Sequence, residues 1–269
     1  MFKTKVNGHN FSPFLNELVD ILRLSQSLLY VSRTDLKARY KRSILGPLWI
    51  VISLGLGSVG LGLMWSVLWQ MEIALLLPQI TIGFLVWIFI SSSITEGSDS
   101  IVVNAEIIKN IKIPVLYFCV LSFTKNITNF VHSWIIILFI SLIFPPPISW
   151  VQLMVIPGLV VAIIDLFLLI ALLAILSTRY RDLKPLINSL IPLLFFVSPV
   201  LFSLKQSSSL EWVLLLNPLT YIISIVRDPI LGVLPEWHLY FGSVFFGIIL
   251  FVLDYIIFNS RSQRIIFWV

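Results

Sequence analysis

At 269 residues, 58% hydrophobic and only 12% charged, the chain is too apolar for a water-soluble fold, whose charged fraction is about 25%. Its net charge of +5 is gathered in short clusters beside apolar runs, so it reads as a membrane-orientation signal and excludes a nucleic-acid footprint, which needs a continuous basic face. A single cysteine, Cys119, excludes an internal disulfide and any cysteine-based metal cluster.

The first ten residues are polar, and no short apolar run with a small-residue cleavage site follows, so the N-terminus is expected to stay inside without a cleaved signal peptide. Over residues 11–31, Phe11, Phe14, Leu15, Leu18, Leu22 and Leu29 fall on one stripe at helical spacing, with Asn16, Glu17, Asp20 and Arg23 elsewhere. Ser12-Pro13 supplies an N-cap and a first-turn proline. This pattern predicts an amphipathic helix along the inner leaflet, apolar face down; packing on a partner protein is the other reading of that face.

Five cations follow within ten residues: Arg33, Lys37, Arg39, Lys41 and Arg42. From Leu48 to Trp69 no charge appears for 22 residues. Lys and Arg are retained on the cytoplasmic side during insertion, so this boundary marks the inner end of a first span at about 48–69. Ser53, Gly57, Ser58 and Gly62 form two small-xxx-small pairs there and predict close packing of another helix. The loop 70–77 contains Glu72 and no cation, as an outer loop should.

A second span is expected at about 78–94. From Thr95 to Pro114 the chain turns polar, with Glu96, Asp99, Asn104, Glu106, Lys109, Asn110 and Lys112 interleaved with Ile101, Val102, Ala105, Ile108 and Ile111. That spacing predicts a short amphipathic helix on the inner face, bounded by Gly97 and Pro114 and too polar to cross. Residues 115–125 are expected near the inner interface, ahead of a third span at about 127–144. Pro145-Pro146-Pro147 makes a stiff outer turn. A fourth span is read at about 153–176 and a fifth at about 185–204, kinked by Pro192 and Pro199. Residues 210–216 and 218–231 suit two short helices, re-entrant or interfacial, and a sixth span follows at about 241–258.

The charges test this order. Eight cations precede the first span, three lie between the second and third, three between the fourth and fifth and two in the tail, so 16 of 18 are inside and only Lys205 and Arg227 fall outside. The chain is thus expected to be an all-α integral membrane protein of six spans with both termini cytoplasmic. Residues 1–47 form its cytoplasmic N-terminal part and 48–269 its transmembrane domain. One local echo joins distant segments: Asp35-Leu36-Lys37 recurs as Asp182-Leu183-Lys184.

Catalytic motifs are absent from the sequence. There is no Gly-x-x-x-x-Gly-Lys-Ser/Thr for nucleotide phosphates, no His-Glu-x-x-His and no Gly-x-Ser-x-Gly. His9, His132 and His238 fall at different expected depths and cannot share a metal. Asp165 and Asp254 lie in apolar runs, where an ionisable group is either a proton relay or a polar bond to a neighbouring helix. Most tryptophans sit near expected interfaces as anchors, but Phe84 and Trp87 fall mid-span, where aromatic faces can stack on sugar rings along a path.

The run from Asp35 to Trp49, with Arg179-Tyr-Arg-Asp-Leu-Lys184, Ser198-Pro-Val-Leu-Phe202, Asn217-Pro-Leu-Thr-Tyr221, Arg227 and Ile230-Leu-Gly232, resembles the permease subunits of bacterial polysaccharide ABC exporters, which carry O-antigen, capsule or teichoic-acid chains. Ser53 departs from that pattern, where many relatives carry proline. The resemblance implies a homodimer that shares one channel and docks two separate ATP-binding subunits, which hold the ATP and magnesium; no cofactor is expected in this chain. It implies ATPase coupling through Glu96, Gly97, Asn104, Glu106, Lys109 and Asn110. It implies contact with the pyrophosphate of a lipid-linked polysaccharide at Arg33, Lys37, Arg39, Tyr40 and Arg42, since Arg forks match phosphate oxygens. Phe84 and Trp87 would line the channel, and Trp212, Asn217, Pro218, Tyr221 and Arg227 a periplasmic gate. The other functions weighed are an ABC permease for a drug or small lipid, a proton-coupled carrier using Asp165, and a membrane glycosyltransferase. For the last, Glu72, Glu211 and Glu236 are the isolated outer acids.

Overall fold

The computed structural model describes residues 12–41, 43–46, 48–203 and 211–268; the side chains of Leu36, Arg39, Glu211, Gln263 and Ile266 are also outside the description. Every regular element among these residues is helical. Among the described residues five helices are long and apolar enough to cross a membrane: Leu48–Trp69, Ile73–Ser98, Leu116–Ile143, Trp150–Arg179 and Trp237–Ser262.

The N-terminal helix is two helices. Helix α1 (Pro13–Arg23) starts after Ser12, and α2 (Ser25–Tyr40) continues after a break at Leu24. The expected stripe is corrected in part: Phe14, Leu15 and Leu18 pack on the core, Leu22 and Leu29 are exposed, and the buried line is Phe14, Ile21 and Leu28. These sit seven residues apart, two helical turns, and so share a face. Phe14 is sealed among the rings of Phe251, Tyr255 and Phe258 on the last helix. The apolar side of α1 is thus covered by the chain's own residues. Phe11 lies outside the described residues.

Helix α3 (Leu48–Trp69) and α4 (Ile73–Ser98) form an antiparallel pair. A Cβ on Gly57 would stand 2.9 Å from the Phe84 ring, and one on Gly62 2.7 Å from Leu77. The expected close packing on α3 is there, and α4 is its partner. Ser53 is exposed and takes no part. Helix α4 is the centre of the molecule, buried along most of its length against α3, α7, α8 and α11.

Two short turns follow, α5 (Ser100–Val103) and α6 (Ala105–Asn110), broken at Asn104. The single helix expected from Gly97 to Pro114 is therefore corrected. Gly97 lies inside α4, where a Cβ would meet the Ile170 side chain at 2.4 Å. Residues 115–125 are no separate interfacial stretch: α7 runs unbroken over Leu116–Ile143.

A 3-10 turn at Trp150–Met154 leads into α8 (Val155–Arg179). The next helix, α9, spans Leu183–Phe196, 14 residues, shorter than the roughly 20 of a full crossing. It stops because Ser198 precedes Pro199, and a residue before proline is pushed out of helical conformation. Helices α10 (Glu211–Leu216) and α11 (Pro218–Ile230) match the two expected short helices. The last helix, α12 (Trp237–Trp268), packs along α8 for much of its 32 residues and carries Arg261 and Arg264 in its final turns.

Candidate functional site

Three segments meet at the end of the molecule where the basic stretch lies. The C-terminal end of α4 brings Glu96, exposed, and Asp99. The α5–α6 segment turns Ile101 and Ile108 inward and leaves Val103, Ile107 and Ile111 exposed, at 71%, 43% and 53%. Ile101 and Ile108, seven residues apart, share the inward face, and Val103, Ile107 and Ile111, four apart, the outward one; of the expected stripe Ile111 alone is exposed. Glu106, Lys109 and Asn110 are exposed beside the outward set. The Asn104 amide donates to the Ser100 carbonyl at 2.7 Å and the Asn110 amide to the Glu106 carbonyl at 2.8 Å, which stiffens each turn. A surface of three apolar side chains rimmed by an acid, a base and an amide suits a protein contact with a polar edge.

Helix α2 supplies the second wall. Arg33 and Lys37 are exposed on it, and Tyr40, in its last turn, is half-buried. Arg42 and the Arg39 side chain lie outside the described residues. Asp35 pairs with Lys125 of α7 at 2.5 Å, and Lys184 at the start of α9 pairs with Asp99. The two copies of Asp-Leu-Lys therefore contribute to one place, the first through its acid and the second through its lysine. Between them is a cavity of about 750 Å³ lined by Asp35, Glu96, Asp99, Asn104, Lys125 and Lys184 among others. Helix α2 lends this cavity only Val31 and Asp35, and Arg33, Lys37 and Tyr40 are not among its lining residues.

Helical spacing places Glu17 off the apolar stripe of α1, yet its carboxylate caps α7. Oε1 accepts from the Val115 N–H at 3.2 Å and Oε2 from the Leu116 N–H at 3.0 Å. These are orphan donors at a helix start, where negative charge is favoured. Burial pushes the Glu17 carboxyl up to about 7, against the two backbone bonds that pull it down. An acid seven residues before the C-cap of its own helix, Leu24, carries no local signal for a bond across the fold.

At the other end of the molecule α11 is locked in place. Asn217 caps it, accepting from the Leu219 N–H at 3.0 Å, and its amide donates to the Ser198 hydroxyl at 2.8 Å. Pro218 opens the first turn. Arg227 is fully buried; it donates to the carbonyls of Pro199 and Phe202 and pairs with Asp228. Tyr221 donates to the Leu215 carbonyl at 2.6 Å and lies against Gly242. Trp212 is exposed. Trp87 is buried and Phe84 half-buried, both edge-on to Phe195 of α9, with centroids 5.5 and 6.2 Å away.

Of the two acids in apolar runs, Asp165 accepts from the Ser243 hydroxyl at 2.6 Å across the α8–α12 contact. Asp254 is fully buried, and neither of its oxygens has a hydrogen-bond partner. No group of three or more His, Cys, Asp or Glu able to hold a metal occurs among the described residues. His132 bonds its own helix at the Thr128 carbonyl, 2.7 Å away.

The family model described as ABC-2 type transporter matches residues 26–231. The O-antigen export system permease protein RfbA of Myxococcus xanthus is 28% identical over 203 residues, 73% of this chain and 77% of that protein. A protein of the same name from Klebsiella pneumoniae is 26% identical over 245 residues, 88% of this chain and 92% of that one.

Proposed function

This chain belongs to the ABC-2 type transporter family, and from that premise we propose that it is the membrane-spanning permease of an ATP-driven exporter of lipid-linked polysaccharide, O-antigen being the class its relatives' names favour. Separate subunits bind and hydrolyse ATP with magnesium, and a second copy of the chain completes the channel. Six spans are retained in this reading, the fifth made by α9 together with the turn that follows it. Both termini are then on the cytoplasmic side of the inner membrane.

The observation that carries the reading is the outward face of α5–α6. Val103, Ile107 and Ile111 are exposed between two membrane-crossing helices, on the side where Lys and Arg gather. That face is where an ATP-binding subunit would dock, and α4 and α7 would take up its movement as rigid bodies. Glu106, Lys109 and Asn110 supply directional contacts at the rim. Arg33 and Lys37 of α2, with Arg39, Tyr40 and Arg42, would meet the lipid pyrophosphate beside the cavity. Phe84 and Trp87 would reach sugar only if α9 moves aside, because Phe195 covers both in this conformation.

The test is reconstitution in vesicles with the ATP-binding subunit of the same exporter. Movement of lipid-diphosphate-linked polysaccharide should require both that subunit and ATP. Movement of cargo by the purified chain alone would sink the proposal. An ABC permease for another lipid would show the same ATP requirement with a different cargo.

A further inference from the structure

Helix α9 is held to the rest of the chain unusually lightly. Ile187 is its one buried side chain, while Leu186, Leu190, Leu193 and Phe196 are all exposed. Ile191 and Leu194 lean on the core beside Ile187, and the specific contacts of α9 lie at its ends. At the inner end, Lys184 pairs with Asp99, the residue between α4 and α5. At the outer end, Phe195 rests edge-on against Phe84 and Trp87. Directly beyond it, the turn 197–202 is gripped by α11. Asn217 donates to the Val197 carbonyl at 3.3 Å and to Ser198, and Arg227 donates to the carbonyls of Pro199 and Phe202.

The same turn is pressed on α4. A Cβ on Gly83 would stand 2.1 Å from the Val200 carbonyl oxygen. Gln79 donates to the Leu201 carbonyl at 3.4 Å. Polar bonds thus hold α9 at its inner end, at Lys184, and hold the turn beyond its outer end, so the helix joins the α4–α5 junction to the helix that carries Asn217 and Arg227. Packed rigid elements joined by polar bonds can carry coupling between distant sites.

We propose that α9 is a lever: the Asp99–Lys184 ion pair passes displacement of the 99–110 segment into it, and the 197–202 turn delivers that displacement to α11. This rests on the proposed docking of an ATP-binding subunit at α5–α6. It makes Asp99 and Lys184 positioning residues, acting on the outer helices through α9. The Lys184 side chain is 49% exposed and that of Asp99 13%. Lys184 is exposed enough for its variants to fold, and the Asp99→Lys swap, at a largely buried position, is read only from complexes that assemble.

The experiment places one cysteine at Leu216, exposed at the end of α10, in a Cys119→Ser background. The rate at which a maleimide labels it is measured in the assembled complex, with and without a non-hydrolysable ATP analogue. Nucleotide should change the rate by about fivefold or more in the parent complex. Lys184→Asp should abolish that change, Lys184→Arg should keep it, and the swap of Asp99→Lys with Lys184→Asp should recover it. A nucleotide response that survives Lys184→Asp overturns the lever, as does a swap complex that assembles without recovery. A parent complex that assembles with the ATP-binding subunit and shows no nucleotide response overturns the lever alone. Failure of any ATP-binding subunit to engage the parent chain overturns the exporter reading and the lever with it.

Discussion

Arg227 shows what one buried charge does here. Its guanidinium satisfies two carbonyls of an irregular turn that no helix or sheet could satisfy, and Asp228 balances it. Removing one partner from such a set leaves the others buried and unpaired. Arg227→Ala should therefore cost about 3 kcal/mol, read as a lowered thermal midpoint in detergent. An unshifted midpoint would show that the turn holds itself. Glu17 makes a pH-dependent case. Its carboxyl is raised from an ordinary 4.5 to about 7 in the fold. Such a group binds its proton more tightly folded than unfolded, so its contribution is complete below about 4.5 and is lost as pH rises to about 7. Glu17→Gln should remove that loss, flattening the pH dependence of the thermal midpoint between about pH 5 and about pH 8. An identical pH profile in variant and parent would mean that the Glu17 carboxyl is not raised by burial in the fold.

At the scale of elements, close approach distinguishes glycines that look alike in sequence. Gly62 faces the end of the Leu77 side chain, which can rotate, whereas Gly83 faces a backbone carbonyl, which cannot. Gly83→Ala should cost about 1–3 kcal/mol and Gly62→Ala clearly less, compared by unfolding in the same detergent. Equal effects would argue against the tight seating of the 197–202 turn on α4. The α5–α6 turns carry the functional prediction. Glu106→Lys reverses a rim charge without touching the core, and should lower ATP-driven export by about tenfold while the protein still inserts. Export at the parent rate in vesicles would remove Glu106 from the docking contact.

For the whole molecule, the arrangement predicts sidedness. Single cysteines at Lys109 and Arg261 should resist a membrane-impermeant reagent added outside intact cells, and one at Ile148, beyond the triple proline, should react. Labelling of Lys109→Cys from outside would invert the assignment and remove the docking face.

Much of this was legible in the chain itself. Helix type and order follow from long apolar runs, because a membrane leaves backbone polar groups no partner but their own helix. Orientation is expected from where Lys and Arg cluster. The short helices at 210–231 were marked by their length and by Asn217-Pro218. Local rules could not reach the rest. Whether Leu22 or Ile21 faces inward depends on which helix lies beside α1. The α4 helix runs past Gly97, where Ile170 of α8 packs so close that only a hydrogen fits. Glu17 finding α7, and Asp35 and Lys184 facing one cavity, are contacts between residues 85 or more apart in sequence. Such pairs are set by how the helices stack, since spacing along one helix carries no information about the side chains of another.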